Sequence, residues 1–202
     1  LGYVATTPRK TVVVCPKVVR RTWLEEANKF FPGHFQGKEL MSKDLLKNGM
    51  PDLSQHNLVT VNFESIEKFL PALKAAGFTQ LIVDESHRAK NPKAKTTKAV
   101  QALAKLTKHT IALSGTAVKN KKEELYTQTE LVKPGLFGPK ELKSATIGGT
   151  WNKLREVYLA RQKNTVLKDL PSKTTTITHV DVPGAPDLRS ARAQPPMQPD
   201  ER

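Results

Sequence analysis

Four short apolar runs, each followed by helical periodicity, set the rhythm of this chain. The first, Thr11 to Cys15 (TVVVC), is closed by Pro16, which cannot continue a central strand. Val19, Trp23, Ala27 and Phe30 then recur at helical spacing until Pro32-Gly33 stops the helix. Residues Gly33 to His56, with the breakers Gly37, Gly49 and Pro51, read as a loop carrying one small helix at Lys43 to Lys47. The second run, Leu58 to Val61, leads through Asn62 and Ser65 to a helix bearing Ile66, Phe69, Leu70 and Leu73. Pro71 is expected to kink that helix or to start its second part. The third run, Leu81-Ile82-Val83, passes directly into Asp84, Glu85, Ser86 and His87. A helix from Pro92 to Lys108 follows, with Val100, Leu103 and Leu106 on one side; Lys93, Lys95, Lys98, Lys105 and Lys108 are left for water or phosphate. The fourth run, Thr110 to Leu113, ends in Ser114-Gly115-Thr116.

Runs that are apolar throughout, rather than alternating, belong to strands buried on both faces. Strand alternating with helix four times over therefore predicts an α/β domain with a mainly parallel sheet flanked by helices. Such sheets bind ligands at the carboxyl ends of their strands, which is where Asp84 and Glu85 would meet a nucleotide and its metal. The second part of the chain changes character. Glu123 to Leu131 is helical, and Trp151, Leu154, Val157 and Tyr158 form another amphipathic helix with Thr150 as a cap; Thr174 to Val182 alternates as an edge strand does. From Pro183 onward, five prolines, three arginines and almost no large apolar residue describe a disordered tail, so the chain divides into a folded part, 1–182, and a Pro/Arg-rich tail, 183–202.

Composition narrows the class of partner. The 202 residues carry 33 lysines and arginines against 19 acids, a net charge of +14, which favours a polyanion through phosphate contacts and counterion release. A solvated basic surface with no specific partner is the competing explanation, because charge balance says nothing of base recognition. The single cysteine, Cys15, lies in an apolar run and cannot form an internal disulfide, which suits an intracellular, reducing compartment, cytoplasm or nucleus. No apolar run approaches membrane-spanning length, and no basic-then-apolar secretory pattern opens the chain.

Taken in order, Val12 to Trp23 (VVVCPKVVRRTW), Leu58 to Ser65 (LVTVNFES), Leu81 to Asn91 (LIVDESHRAKN) and Leu113 to Asn120 (LSGTAVKN) resemble motifs Ia, Ib, II and III of the Swi/Snf-related branch of superfamily-two ATPases. Leu125 to Phe137 (LYTQTELVKPGLF) and Tyr158 to Lys173 (YLARQKNTVLKDLPSK) resemble the segments that close the first RecA-like lobe in that branch. The DESH form, SGT and the LYTQ run are most similar to its annealing-helicase subgroup. The resemblance covers roughly residues 8–182.

It implies a RecA-like fold, ATP and magnesium as cofactors, and duplex DNA as partner. Asp84 would be the metal-side carboxylate and Glu85 the water-orienting one, since phosphoryl transfer is mostly positioning and charge neutralisation. His87, Ser114, Gly115 and Thr116 would couple nucleotide state to the nucleic-acid surface. Lys17, Arg20, Arg21, Asn62 and Ser65 would lie along the DNA backbone. Departures are also visible: Ala117 replaces the branch's usual proline, Lys119 a frequent glutamine, and Arg161-Gln162 its paired arginines. No glycine-rich loop ending in Gly-Lys-Thr precedes Thr11, and Thr7-Pro8-Arg9-Lys10-Thr11 lacks the glycines to serve as one. With Leu1 in first place and no second RecA-like lobe, the expectation is a first lobe truncated at both ends and weak or absent hydrolysis by this chain. A non-enzymatic basic DNA-binding module and a DEAD/DEAH-type RNA helicase lobe are the alternatives.

Overall fold

The fold is that of a computed structural model, which describes residues 1–6, 9–115, 122–137 and 152–161, the side chains of 122–124 excepted. Residues 1–159 make one compact unit; of the second, 160–202, only Ala160 and Arg161 are described. The expected strand over 174–182, the tail, Thr116 and the Thr150 cap therefore fall outside the described residues.

Five parallel strands form one sheet: β1 (Thr11–Cys15), β2 (Gly37–Leu40), β3 (Leu58–Asn62), β4 (Gln80–Val83) and β5 (His109–Ala112), in the order β2-β3-β1-β4-β5. The helices are α1 (Gly2–Ala5), α2 (Arg20–Phe30), α3 (Ser42–Asn48), α4 (Ile66–Ala75), α5 (Lys95–Leu106) and α6 (Lys122–Val132). Strand alternation sorts the core into two layers. Val12, Val14, Val59, Val61, Leu81 and Val83 pack with Ile66, Phe69 and Leu73 of α4 and Val100 and Leu103 of α5. On the opposite face, Val13, Cys15, Leu58 and Ile82 pack with Val4 and with Trp23, Leu24 and Ala27 of α2. Each fully buried valine or leucine contributes roughly 1.5–3 kcal/mol of transfer free energy, and this repeated burial fixes the strand register.

The four expected strands are present; β2 is the one missed. Gly37-Lys38-Glu39-Leu40, expected as loop, is a strand in which only Leu40 is apolar and buried, and it pairs on one side alone, with β3. An edge strand of that kind carries no hydrophobic signature. Gly37 lies close under α2, where a Cβ would stand 3.0 Å from Leu24 Cδ2 and that side chain would have to shift by a few tenths of an ångström. Helix α4 runs through Pro71 as one element, with Pro71 exposed. Pro92 lies in a turn before α5 rather than in its first turn. Phe30 and Leu106, expected on buried faces, are 59% and 39% exposed because each sits at the end of its helix. Cys15 is buried, as its apolar run implied. Among the described residues, no helix is long and apolar enough to cross a membrane.

Candidate functional site

From central β1 the chain goes to β2 and β3 on one side, then crosses to β4 and β5 on the other. That reversal falls at the carboxyl ends of β1 and β4, the place where doubly wound sheets bind ligands. Asp84 stands there. Its amide continues the ladder by donating to the Val14 carbonyl at 2.8 Å. Its carboxylate is held at both oxygens: Oδ1 accepts the Glu85 amide at 2.9 Å, and Oδ2 accepts the Trp23 indole N–H at 3.0 Å.

Glu85 has φ 51°, and it is the one positive-φ residue other than glycine among the described residues. A backbone in this region costs an L-residue about 1 kcal/mol or more and persists where the surroundings demand it. The turn reverses the chain into a short 3-10 segment, Ser86–Ala89, and the Ser86 amide donates to the Leu113 carbonyl at 2.8 Å. This bond draws the end of β5 alongside. His87 Nδ1 consequently lies 3.3 Å from Ser114 Oγ and 3.1 Å from Glu85 Oε2. Gly115 follows with open space around its Cα; Thr116 lies outside the described residues. Ser86 points inward instead, donating from Oγ to Gln128 Oε1 of α6 at 2.9 Å in a buried contact.

The residues expected along DNA divide into two groups. Lys17 and Arg21 are exposed where β1 gives way to α2. Arg20, Asn62 and Ser65 are 5%, 8% and 6% exposed. The Arg20 guanidinium donates to the Leu40 carbonyl (2.9 Å) and Asn62 Oδ1 (3.0 Å) and pairs with Glu39 at 3.1 Å. Asn62 Nδ2 donates to Glu64 Oε2 at 2.6 Å, and Arg88 donates to Glu64 Oε1 at 3.1 Å while lying over the Phe63 ring. A polar chain thus runs Glu39–Arg20–Asn62–Glu64–Arg88, from the end of β2 to the turn that carries His87. The Asn62 amide, above all, with the charges of Arg88 and Arg20, holds the Glu64 carboxyl below its ordinary range. Ser65 Oγ meets Ser42 Oγ at 2.9 Å, tying the end of β3 to α3. As placed, these three side chains brace the tips rather than face solvent.

Sequence reasoning overlooked Trp23, Gln128, Glu64, Glu39 and Arg88 as parts of the site. Gln128 carries no distinguishing signal, since Thr127 and Thr129 beside it on α6 are buried polar residues as well. Among the described residues no group of three or more His, Cys, Asp or Glu is placed to hold a metal ion.

Residues 3–185 match the SNF2-related domain family. A SWI/SNF-related matrix-associated actin-dependent regulator of chromatin subfamily A-like protein 1 homolog from Caenorhabditis elegans is 30% identical over 90% of this chain and 29% of that protein. The mouse DNA repair and recombination protein RAD54B is 28% identical over 64% of this chain and 14% of its own length. This chain therefore spans less than a third of either relative. Among solved structures, the Sulfolobus solfataricus SWI2/SNF2 ATPase core in complex with dsDNA superposes with a TM-score of 0.68 at 26% identity, over 81% of this chain and 36% of that one. The parallel sheet with its acidic strand tip is thus a RecA-like core, and the chain belongs to the SNF2-related domain family of helicase-like ATPases.

Proposed function

We propose that the tip of β4 is the magnesium- and water-positioning half of a duplex-DNA-stimulated ATP hydrolysis site, in a lobe that moves along DNA or reanneals it. The carrying observation is the carboxylate pair itself: Asp84 anchored through both oxygens, and Glu85 turned by a left-handed backbone to within 3.1 Å of His87. A carboxylate has about four lone-pair sites, and each Asp84 oxygen has one donor, so capacity remains for a hydrated cation. That donor set fits magnesium, which takes oxygen ligands, keeps several waters and is bound through one or two carboxylates plus phosphate.

Bound with ATP, magnesium would supply neutralisation of the phosphate charge. The rest falls to this chain's own residues. Asp84 would hold the cation's water shell, and Glu85 would orient the attacking water and accept its proton. His87, reaching Ser114, would register that state at the end of β5. Lys17 and Arg21 would meet DNA phosphates at the start of α2, aided there by exposed backbone amides. Arg20, Asn62 and Ser65, expected to touch the duplex, are better suited by their burial to hold the turns that do.

As they stand, the 202 residues include no Gly-Lys-Thr loop to cradle the β and γ phosphates. Nor do they include the second lobe that supplies an arginine finger, typically worth about 10³ to 10⁵ in rate. They should bind duplex DNA yet turn over ATP weakly or not at all. Fluorescence anisotropy with labelled duplex, run across a salt series beside an ATP turnover assay, tests both halves. The reading expects affinity that falls steeply with salt and no DNA-stimulated turnover. Salt-independent binding, or robust turnover by these residues alone, would contradict it.

A further inference from the structure

Trp23 has no place in the roles assigned above, yet its indole reaches the acidic tip. It sits on α2, half-buried, with its ring against the cluster of Val13, Cys15, Leu58 and Ile82. From there its Nε1–H spans 61 positions of sequence to Asp84 Oδ2 at 3.0 Å. The opposite oxygen, Oδ1, is tied to the Glu85 amide at 2.9 Å. The last torsion of an aspartate is broad and roughly two-fold, so a carboxylate held at one oxygen alone swings over a wide arc. Donors at both oxygens fix its plane. An indole N–H is a donor only, so it orients the carboxylate without competing for a cation as an oxygen-bearing side chain would. The amphipathic ring allows this, since its body fills the apolar layer while its one polar atom reaches the strand tip.

Resting on the reading of Asp84 as the magnesium-side carboxylate, we propose that Trp23 is a positioning residue that fixes the Asp84 carboxylate in its cation-binding orientation through the indole N–H. The bond serves the cation site and not the fold alone. The apolar ring packs α2 against the sheet by its carbon surface, whereas the N–H is directed at the carboxylate.

The test uses the 202-residue chain with Mn²⁺ as the probe ion. The chain has two tryptophans, Trp23 and Trp151, so two indole signals appear in an ¹H–¹⁵N spectrum, and Trp23→Phe assigns them. Mn²⁺ should broaden the Trp23 signal in the wild type, and Asp84→Asn should remove that broadening. By water proton relaxation, Trp23→Phe should weaken Mn²⁺ binding about 10- to 100-fold in a chain that remains folded. Benzothienylalanine at position 23 keeps the bicyclic ring and lacks the N–H, and should weaken binding equally; this separates the hydrogen bond from packing. If both variants bind Mn²⁺ as the wild type does while Asp84→Asn binds it more weakly, the proposal is overturned and the reading of Asp84 stands. If Asp84→Asn matches the wild type, or Mn²⁺ leaves the wild-type signal untouched, the reading fails and the proposal with it.

Discussion

Adjacent residues of the same type have opposite fates here, and Arg20 and Arg21 show it. Arg20 is buried with three partners on two strands, β2 and β3, while Arg21 is exposed and pairs with Glu25 one turn away. Removing one partner of a buried pair leaves the others uncompensated, so Arg20→Ala should cost about 3–5 kcal/mol in urea denaturation. Arg21→Ala should change stability by less than about 0.5 kcal/mol. Instead it should lower the salt slope of duplex binding by about 1. Cys15 offers a test by pH. Burial, and next the negative charge of Asp84, push its thiol up to about 12 from an ordinary 9.0. Below about pH 9 both folded and unfolded thiols are protonated and the folded state keeps its full advantage. Between about 9 and 12 the unfolded chain releases a proton that the folded one retains, so stability falls as pH rises through that window. Urea denaturation from pH 8 to 11 on wild type and Cys15→Ala should show this component in the wild type alone. The burial of Cys15 was legible in its apolar run, but that Arg20 is interior and Trp23 meets Asp84 depends on pairings across 42 and 61 positions, which neither periodicity nor motif spacing encodes.

Elements were legible in proportion to the share of their surface that is buried. Strands β1, β3 and β4 are covered on both faces, and their runs of largely apolar residues announced them, Thr60 being the polar interruption in β3. Strand β2 lies at the edge, and its Lys38 and Glu39 concealed it. Helix α4 was legible through Ile66, Phe69 and Leu73, which still face the core although Pro71 interrupts the hydrogen-bond ladder. Phe69 is 1% exposed, so Phe69→Ala should cost about 3–5 kcal/mol through lost transfer energy and the cavity left behind. Leu46 on α3 is 89% exposed, and Leu46→Ala should leave the denaturation midpoint within experimental scatter. The acidic tip was visible as Leu81-Ile82-Val83-Asp84-Glu85, but the left-handed turn at Glu85 was not, because nothing in a glutamate signals positive φ.

At the scale of the molecule, one end of a parallel sheet collects the chemistry while its two faces supply the stability. The order of motifs along the chain, more than any one of them, identified the family, and the sheet order explains why: successive strand tips converge beside the carboxyl end of β1. Basic charge spreads beyond that end of the sheet, giving a net +14 suited to a polyanion, but only Lys17 and Arg21 of the expected contacts stand exposed at the tips. The central claim is that Glu85 orients the attacking water while DNA is held elsewhere. Its most direct test is Glu85→Gln in a protein that joins this lobe to a phosphate-binding loop and a second lobe, with ATP turnover and duplex affinity measured on the same preparation. DNA-stimulated turnover should fall on the order of 10³-fold while duplex affinity stays within about twofold. Turnover that survives within a factor of ten, or duplex binding lost together with it, would contradict that claim.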